Sequence, residues 1–202
     1  MIRLSVTDLD GYLYWLGNET ADLSELITRL RGQEEPTVQM RAGRAFHKVF
    51  EESKAGEIQT IAADGFTFDF AIDRDIAVPD VRELKGEIVL QTHVGPVTLV
   101  GKVDALNGAT VIDYKLTERF EAERYADSYQ WRAYLLMFAA VKFDYEVFQA
   151  RYGDDNTIVI YDHHPLSFYA YPGMREDVLT LVSSLAEIVV KHVPEKIMSE
   201  AA

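Results

Sequence analysis

The sequence contains no cysteine, which excludes disulfide bridges, thiolate-bound zinc and cysteine-ligated iron–sulfur clusters. Any bound metal must then be held by oxygen or imidazole. Proline is scarce as well, with 6 residues in 202, and the 12 glycines are scattered, so no Gly/Ser/Pro-rich stretch marks a boundary between domains. No internal repeat is visible. No apolar run approaches the roughly 20 residues of a membrane span. The opening MIRLSVTDLDGYLYWLGNE, with Asp8 and Asp10 inside it, lacks the apolar heart of a secretion signal. These shortages lead to the expectation of one soluble, cytoplasmic domain over residues 1–202. Positive charge is also in short supply: 20 Lys and Arg stand against 33 Asp and Glu, a net charge of −13. That balance excludes a protein that coats nucleic acid through a broad basic surface. It leaves room for an enzyme that grips phosphate locally, through bound cations and a few Arg or Lys.

What is present is a chain 48% hydrophobic and 26% charged, enough to bury a full core. An apolar rhythm of Leu23, Leu26, Ile27 and Leu30 predicts a helix that Gly32 and Pro36 end. A second helix is expected from about Val38 to Lys54, with Met40, Phe46, Val49 and Phe50 on its buried face and Gly56 as its stop. From Ile58 to Thr117 the period changes to two, over 66–72, 87–94, 97–106 and 109–116. Turn signals at Asp64-Gly65, Gly95-Pro96 and Asn107-Gly108 separate these runs and predict an antiparallel meander. Helix spacing returns over 127–141, followed by strand-like runs at 145–152, 157–162 and 167–171, the first two joined through Asp154-Asp155-Asn156. An amphipathic helix from about Met174 to His192 closes the chain. The expected class is mixed α/β: N-terminal helices over about 1–55, a sheet and helix over about 58–162, and the C-terminal helix over about 174–192.

The stretch GKVDALNGATVIDYKLTE (101–118) carries the most chemistry. Residues i and i+2 of a strand share a face, so Asp113 and Lys115 project together, and pairing through the 107–108 turn brings Asp104 to the same volume. Two carboxylates and an ammonium at one point suit a hard cation such as Mg²⁺ or Mn²⁺. The cation would polarise a phosphodiester and supply hydroxide, while the lysine steadies the attacking water or the developing charge. Taken alone, Asp-x-Lys is equally the mark of a cross-strand ion pair on a solvated face. Two helical pairs at i,i+4 add to it: His47 with Glu51, and Gln130 with Tyr134. His163-His164 alternate across a strand and offer no converging ligand set.

In this combination the chain resembles the RecB-like exonuclease branch of the PD-(D/E)XK nuclease superfamily. The ordered motifs are G-x-x-x-H (Gly43 to His47), G-x-x-D (Gly101 to Asp104), D-x-K (Asp113-Tyr114-Lys115) and Q-x-x-x-Y (Gln130 to Tyr134). The opening LSVTDLDGYLYW (4–15) is similar to that branch's S-x-T/S-x-L-x-x-Y. The resemblance implies an αβββαβ core, a central sheet flanked by helices. It implies Asp104, Asp113, His47 and the Tyr114 carbonyl as ligands of Mg²⁺ or Mn²⁺, Lys115 serving the nucleophilic water, and Gln130 and Tyr134 as a positioning pair. Glu51 is a weaker candidate, since the family pattern requires no acid there. Without cysteine, the iron–sulfur cluster of some relatives is excluded.

No G-x-x-x-x-G-K-[ST] loop is present, so ATP-driven unwinding would fall to a partner. The implied protein is a stand-alone nuclease of the kind phages and prophages carry, acting on DNA in recombination or repair beside a recombination or annealing protein, and open to homo-oligomer formation. Arg41, Arg44 and Lys48 on one helix, and Arg119, Arg124 and Arg132 around another, are the candidate phosphate contacts. A structure-specific endonuclease, or a binding module that kept the nuclease fold, stay open beside the exonuclease.

Overall fold

The computed structural model describes residues 1–54, 58, 61–73, 76 and 78–198. Strand β1 (Ile2–Ser5) leads into helices α1 (Val6–Leu16), α2 (Leu23–Leu30) and α3 (Val38–Glu52). Strands β2 (Ala62–Ala63), β3 (Phe66–Phe70), β4 (Val81–Thr92), β5 (Gly95–Asn107) and β6 (Thr110–Thr117) follow. After them come α4 (Ala122–Asp127), α5 (Gln130–Phe138), β7 (Lys142–Tyr152), β8 (Thr157–Tyr169) and α6 (Met174–His192). From α3 onward, β4, β5 and β6, then α5 and β7, reproduce the αβββαβ order.

All eight strands form one mixed sheet. Its two faces bury different apolar sets. One lies under α1, α2, α5 and α6, with Leu9, Leu99, Val111, Tyr145 and Val182 in it. The other lies under α3, where Phe46, Val49 and Phe50 meet Phe68, Tyr114 and Phe148. The period of α3 explains its placement: Ala42, Ala45, Phe46, Val49 and Phe50 form one apolar stripe. Thr37 caps the helix by accepting the Met40 N–H. Phe50 stacks on Tyr114 at 3.8 Å between ring centres, which fixes α3 against the middle of β6.

Strand β5 organises the sheet. β4 runs antiparallel along one edge, and two strands share the other: β1 pairs parallel with Val97–Val100, and β6 pairs antiparallel only through Ala105–Asn107. Between those stretches β5 has no ladder partner on that side, while β6 goes on in full parallel register with β7. The sheet therefore forks at residue 104.

The antiparallel β4–β5–β6 run matches the expected meander. β3 departs from it, pairing parallel with the start of β8 instead of with β4. Phe66 and Phe68 bury under α3 in the same apolar layer as Ile158 and Ile160 of β8. β1 was absent from the sequence reading, since four residues are too few to show a period. Of the helix expected over 127–141, α5 forms Gln130–Phe138 and ends at Ala139, which is left-handed (φ 49°), while the separate helix α4, set off by a break at Ser128, precedes it. The runs at 157–162 and 167–171 belong to one strand, β8. Pro165 is tolerated inside it because β3 covers only Thr157–Ile160, leaving the later part of β8 an edge. Gly56, the expected stop of α3, lies outside the described residues.

The described ends close on each other. The Met1 ammonium donates to the Met198 carbonyl, Ile2 bridges Ile197, and Lys196 pairs with Asp8 at 2.6 Å. Asp8 in turn completes the capping box of α1 with Ser5. Among the described residues, no helix is long and apolar enough to cross a membrane.

Candidate active site

The last paired residues at the fork are Ala105 and Ile112, so the next position in that register sets Asp104 opposite Asp113. Asp104 bridges the opening: its Oδ2 accepts the Tyr114 N–H at 2.8 Å, standing in for the missing ladder bond. From the α3 side, His47 Nδ1 reaches Asp104 Oδ1 at 2.9 Å. Alternation along β6 sends Ile112, Tyr114 and Leu116 toward α3 and Val111, Asp113 and Lys115 toward α5. There Lys115 Nζ lies 2.6 Å from Asp113 Oδ2, and Gln130 Nε2 donates to Asp113 Oδ1 at 3.0 Å. The fork thus gathers His47, Asp104, Asp113, Tyr114, Lys115 and Gln130, supplied by α3, β5, β6 and α5.

Tyr134 acts one step away. Its hydroxyl donates to the Lys102 carbonyl at 2.8 Å, bracing β5 just before Asp104. Its ring fills the space beside Gly101, where a Cβ would stand 2.4 Å from Cε1. The glycine of G-x-x-D is thereby tied to the tyrosine of Q-x-x-x-Y: the ring passes close to β5 only because residue 101 has no side chain.

The electrostatics are uneven. Asp113 is 3% exposed, and its carboxyl rises to about 6: burial pushes it up, Lys115 pulls it down, and Asp104 pushes again. Burial also works against the Asp104 charge, but His47, Lys115 and the Tyr114 N–H outweigh it and hold that carboxyl below the ordinary range. Burial alone would lower the Lys115 ammonium, yet Asp113, Asp104 and Asp10 raise it, so it stays charged across the working range. Burial raises the Tyr134 hydroxyl, keeping it a donor.

Sequence reasoning missed Asp10, Ser128 and Tyr145. Asp10 Oδ1 accepts from Ser128 Oγ at 3.0 Å and from the Tyr129 N–H at 3.1 Å. The Tyr145 hydroxyl sits between Ser128 Oγ (3.2 Å) and Gln130 Oε1 (3.3 Å). This chain of contacts pins the start of α5 and hence Gln130. The available signal was an acid lodged beside the buried Leu9 in LSVTDLDG.

The candidate phosphate contacts fare differently. Arg41 and Arg44 are exposed on α3 and Arg124 on α4, and Arg119, with 85% of its side chain exposed, pairs with Glu121 at 2.8 Å. Lys48 is tied to Asp64 at 2.9 Å. Arg132 corrects the expectation: Nη1 donates to the carbonyls of Ala126, Asp127 and Ser128, and Nε to the Tyr171 hydroxyl. It holds the α4–α5 junction, because the break at Ser128 leaves carbonyls that need a donor. Glu51 is exposed in the last turn of α3. His163 pairs with Glu146 at 2.5 Å and His164 stacks on Phe120, on opposite faces as alternation requires.

The donor set fits a hard divalent ion. Asp113 Oδ2 is buried with the Lys115 ammonium as its partner, and a second carboxylate, Asp104, lies close by on the Tyr114 N–H. Among the described residues, no three His, Asp or Glu side chains are already drawn together as a ligand cluster. His47 leans on Asp104 and Lys115 on Asp113, so the set is closed on itself. Two carboxylates with a carbonyl and waters match an ion that keeps part of its hydration shell.

Comparison with known proteins gives counterparts of the fold. The PD-(D/E)XK nuclease superfamily matches residues 59–167, and its members generally work with divalent metals. A candidate exonuclease of Eubacterium rectale has a similar fold, at TM-score 0.56 and 10% identity over 97% of this chain and 83% of that one. LHK-Exo of Laribacter hongkongensis, solved with dAMP, matches at 0.51 and 16% identity over 96% and 91%. The protein SSO0001 matches at 0.54 and 12% identity over 98% and 89%. No curated protein sequence matches. With more than half of its 202 residues matched by that one family, this chain belongs to the PD-(D/E)XK nuclease superfamily.

Proposed function

We propose that this chain is a RecB-like deoxyribonuclease that hydrolyses phosphodiester bonds with Mg²⁺ or Mn²⁺, working from DNA ends in recombination, repair or phage DNA processing. One observation carries the reading: two carboxylates meet where β5 and β6 part, Asp104 on the Tyr114 N–H and Asp113 next to Tyr114 in the chain, with the Lys115 ammonium on Asp113. Asp104, Asp113, the Tyr114 carbonyl and His47 would hold the ion. When bound, it lowers the pKa of a coordinated water and offsets charge on the phosphoryl oxygens.

The protein's own groups do the rest. Lys115, kept as an ammonium, donates to the attacking water and to a non-bridging oxygen, where negative charge develops. Gln130 fixes Asp113 by binding the oxygen that Lys115 does not face. Tyr134 keeps β5, and so Asp104, in place through the Lys102 carbonyl. Arg41, Arg44, Arg119 and Arg124 supply scattered positive charge for the phosphate backbone of an otherwise acidic protein.

The test is cleavage of end-labelled linear and closed-circular DNA, single- and double-stranded, with Mg²⁺, Mn²⁺ or EDTA, by the wild type and Lys115→Ala. Loss of linear DNA only, dependent on metal and absent in the variant, is the expected result. Cutting of circles would make the protein an endonuclease. A Lys115→Ala protein that cuts at the wild-type rate would remove the proposed site. DNA binding without any cleavage would make it a binding module.

A further inference from the structure

The glycines of this chain divide by the reason each has for lacking a side chain. Gly32, Gly65, Gly95, Gly108 and Gly173 have positive φ, which explains them by conformation. Gly11, Gly86 and Gly101 lie under side chains that a Cβ would strike, Gly153 lies tight against the Thr157 carbonyl, and Gly17 ends α1 with room for a Cβ. Gly43 has neither reason and, unlike Gly17 at the end of α1, lies in a helix interior. It sits inside α3 with helical backbone, and among the described residues a Cβ there would meet nothing within 4 Å. Glycine in a helix interior is unfavourable, so folding gains nothing from it at this position.

Its position is informative. Gly43 precedes His47 by four residues and stands one turn above it on the same stripe of α3. His47 on that stripe touches Asp104, so the open space over Gly43 adjoins the fork. Arg44, next to it, is exposed and makes no ion pair among the described residues. A gap in the side-chain cover of the helix, beside a free cation and one turn from a predicted ligand, has the form of a seat for a chain carrying negative charge.

We propose that Gly43 is a positioning residue for substrate: the notch it leaves lets the sugar–phosphate backbone of one DNA strand lie against α3, with Arg44 on a phosphate, and so aligns the scissile bond with the fork. The proposal rests on the nuclease reading above and deepens it. It requires stability and DNA recognition to move in opposite directions when the notch is filled. A glycine kept only for folding would move them together.

The experiment measures thermal unfolding, and both anisotropy binding and cleavage of a labelled DNA duplex, for wild type, Gly43→Ala and Gly43→Leu. Gly43→Ala is expected to raise Tm by roughly 2–4 °C, as a better helix former with room for its methyl group. The same variant should lose kcat/KM on DNA by up to about a hundredfold, the scale of an ångström misplacement, and Gly43→Leu should lose more. Variants that bind and cut DNA as the wild type does would overturn the role of Gly43 and leave the nuclease reading standing. A wild type that neither binds nor cuts DNA would overturn that reading and the proposal with it.

Discussion

Asp113→Asn in the metal-free protein turns the electrostatics of the fork into a stability measurement. Burial, partly opposed by Lys115 and reinforced by Asp104, lifts this carboxyl from its ordinary 3.8 to about 6. Below pH 3.8 the group is protonated in both folded and unfolded chains and favours neither. As pH rises from there toward 6, the unfolded chain gives up its proton first, and the wild type loses stability. Above that window the loss levels off at about 2 pH units, or about 3 kcal/mol. Asparagine cannot ionise and still offers an oxygen to Gln130 Nε2, so the variant escapes the loss. In EDTA at pH 8 it should be the more stable protein, by roughly 6–12 °C in Tm at this chain length. Thermal unfolding by circular dichroism from pH 4 to 8 reads the difference directly. The gap should shrink toward pH 4, and Mn²⁺ should reverse the order by stabilising only the wild type. A variant no more stable than the wild type at pH 8, or a gap that widens as pH falls, would refute the reasoning.

Gly101→Ala should lower stability by about 1–3 kcal/mol, because its methyl group has to displace the Tyr134 ring; Tyr134→Leu in the same chain should return part of the loss in a denaturant melt. Arg132→Ala should lower stability by roughly 1–3 kcal/mol, since the carbonyls of Ala126, Asp127 and Ser128 lose their donor, while the salt dependence of DNA binding stays put. Arg44→Ala or Arg119→Ala should do the reverse, leaving Tm in place and reducing the slope of log K against log salt by about 1 each. Phe50→Ala, which removes the ring stacked on Tyr114, should destabilise by about 3–5 kcal/mol in the same melt.

The elements legible in the sequence were those with many repeats of their period. Fifteen residues of α3 and nineteen of α6 stand where the apolar spacing puts them, except that Met40, expected on the buried face, is exposed in the first turn of α3, before the apolar stripe begins at Ala42. The β5–β6 turn was readable because Asn-Gly is a strong local signal, and the placement of Asp113 beside Lys115 follows from alternation alone. Strand partnership was not readable. The pairing of β3 with β8 depends on which edge remains open after the rest of the sheet has formed, a property no local window contains. The role of Arg132 was hidden for a similar reason: a guanidinium on a helix looks the same in sequence whether it faces a phosphate or the broken end of the helix before it. Asp10 lies more than a hundred positions from Ser128 in sequence, and only the packing of α1 on α5 joins them.

The closure of residue 1 on residue 198 bears on the order of synthesis. Leaving a ribosome, β1 and α1 emerge first, yet β1 has no ladder partner until β5 appears, and Asp8 waits for Lys196. Asp10, on the same helix as Asp8, must then reach Ser128 before Gln130 is anchored beside Asp113. The nascent chain carries all four motifs once residue 134 is made, but the Lys196 contact to Asp8 forms only after residue 196 has left the ribosome. A partly made copy thereby holds the candidate site residues before it holds the contacts that brace them.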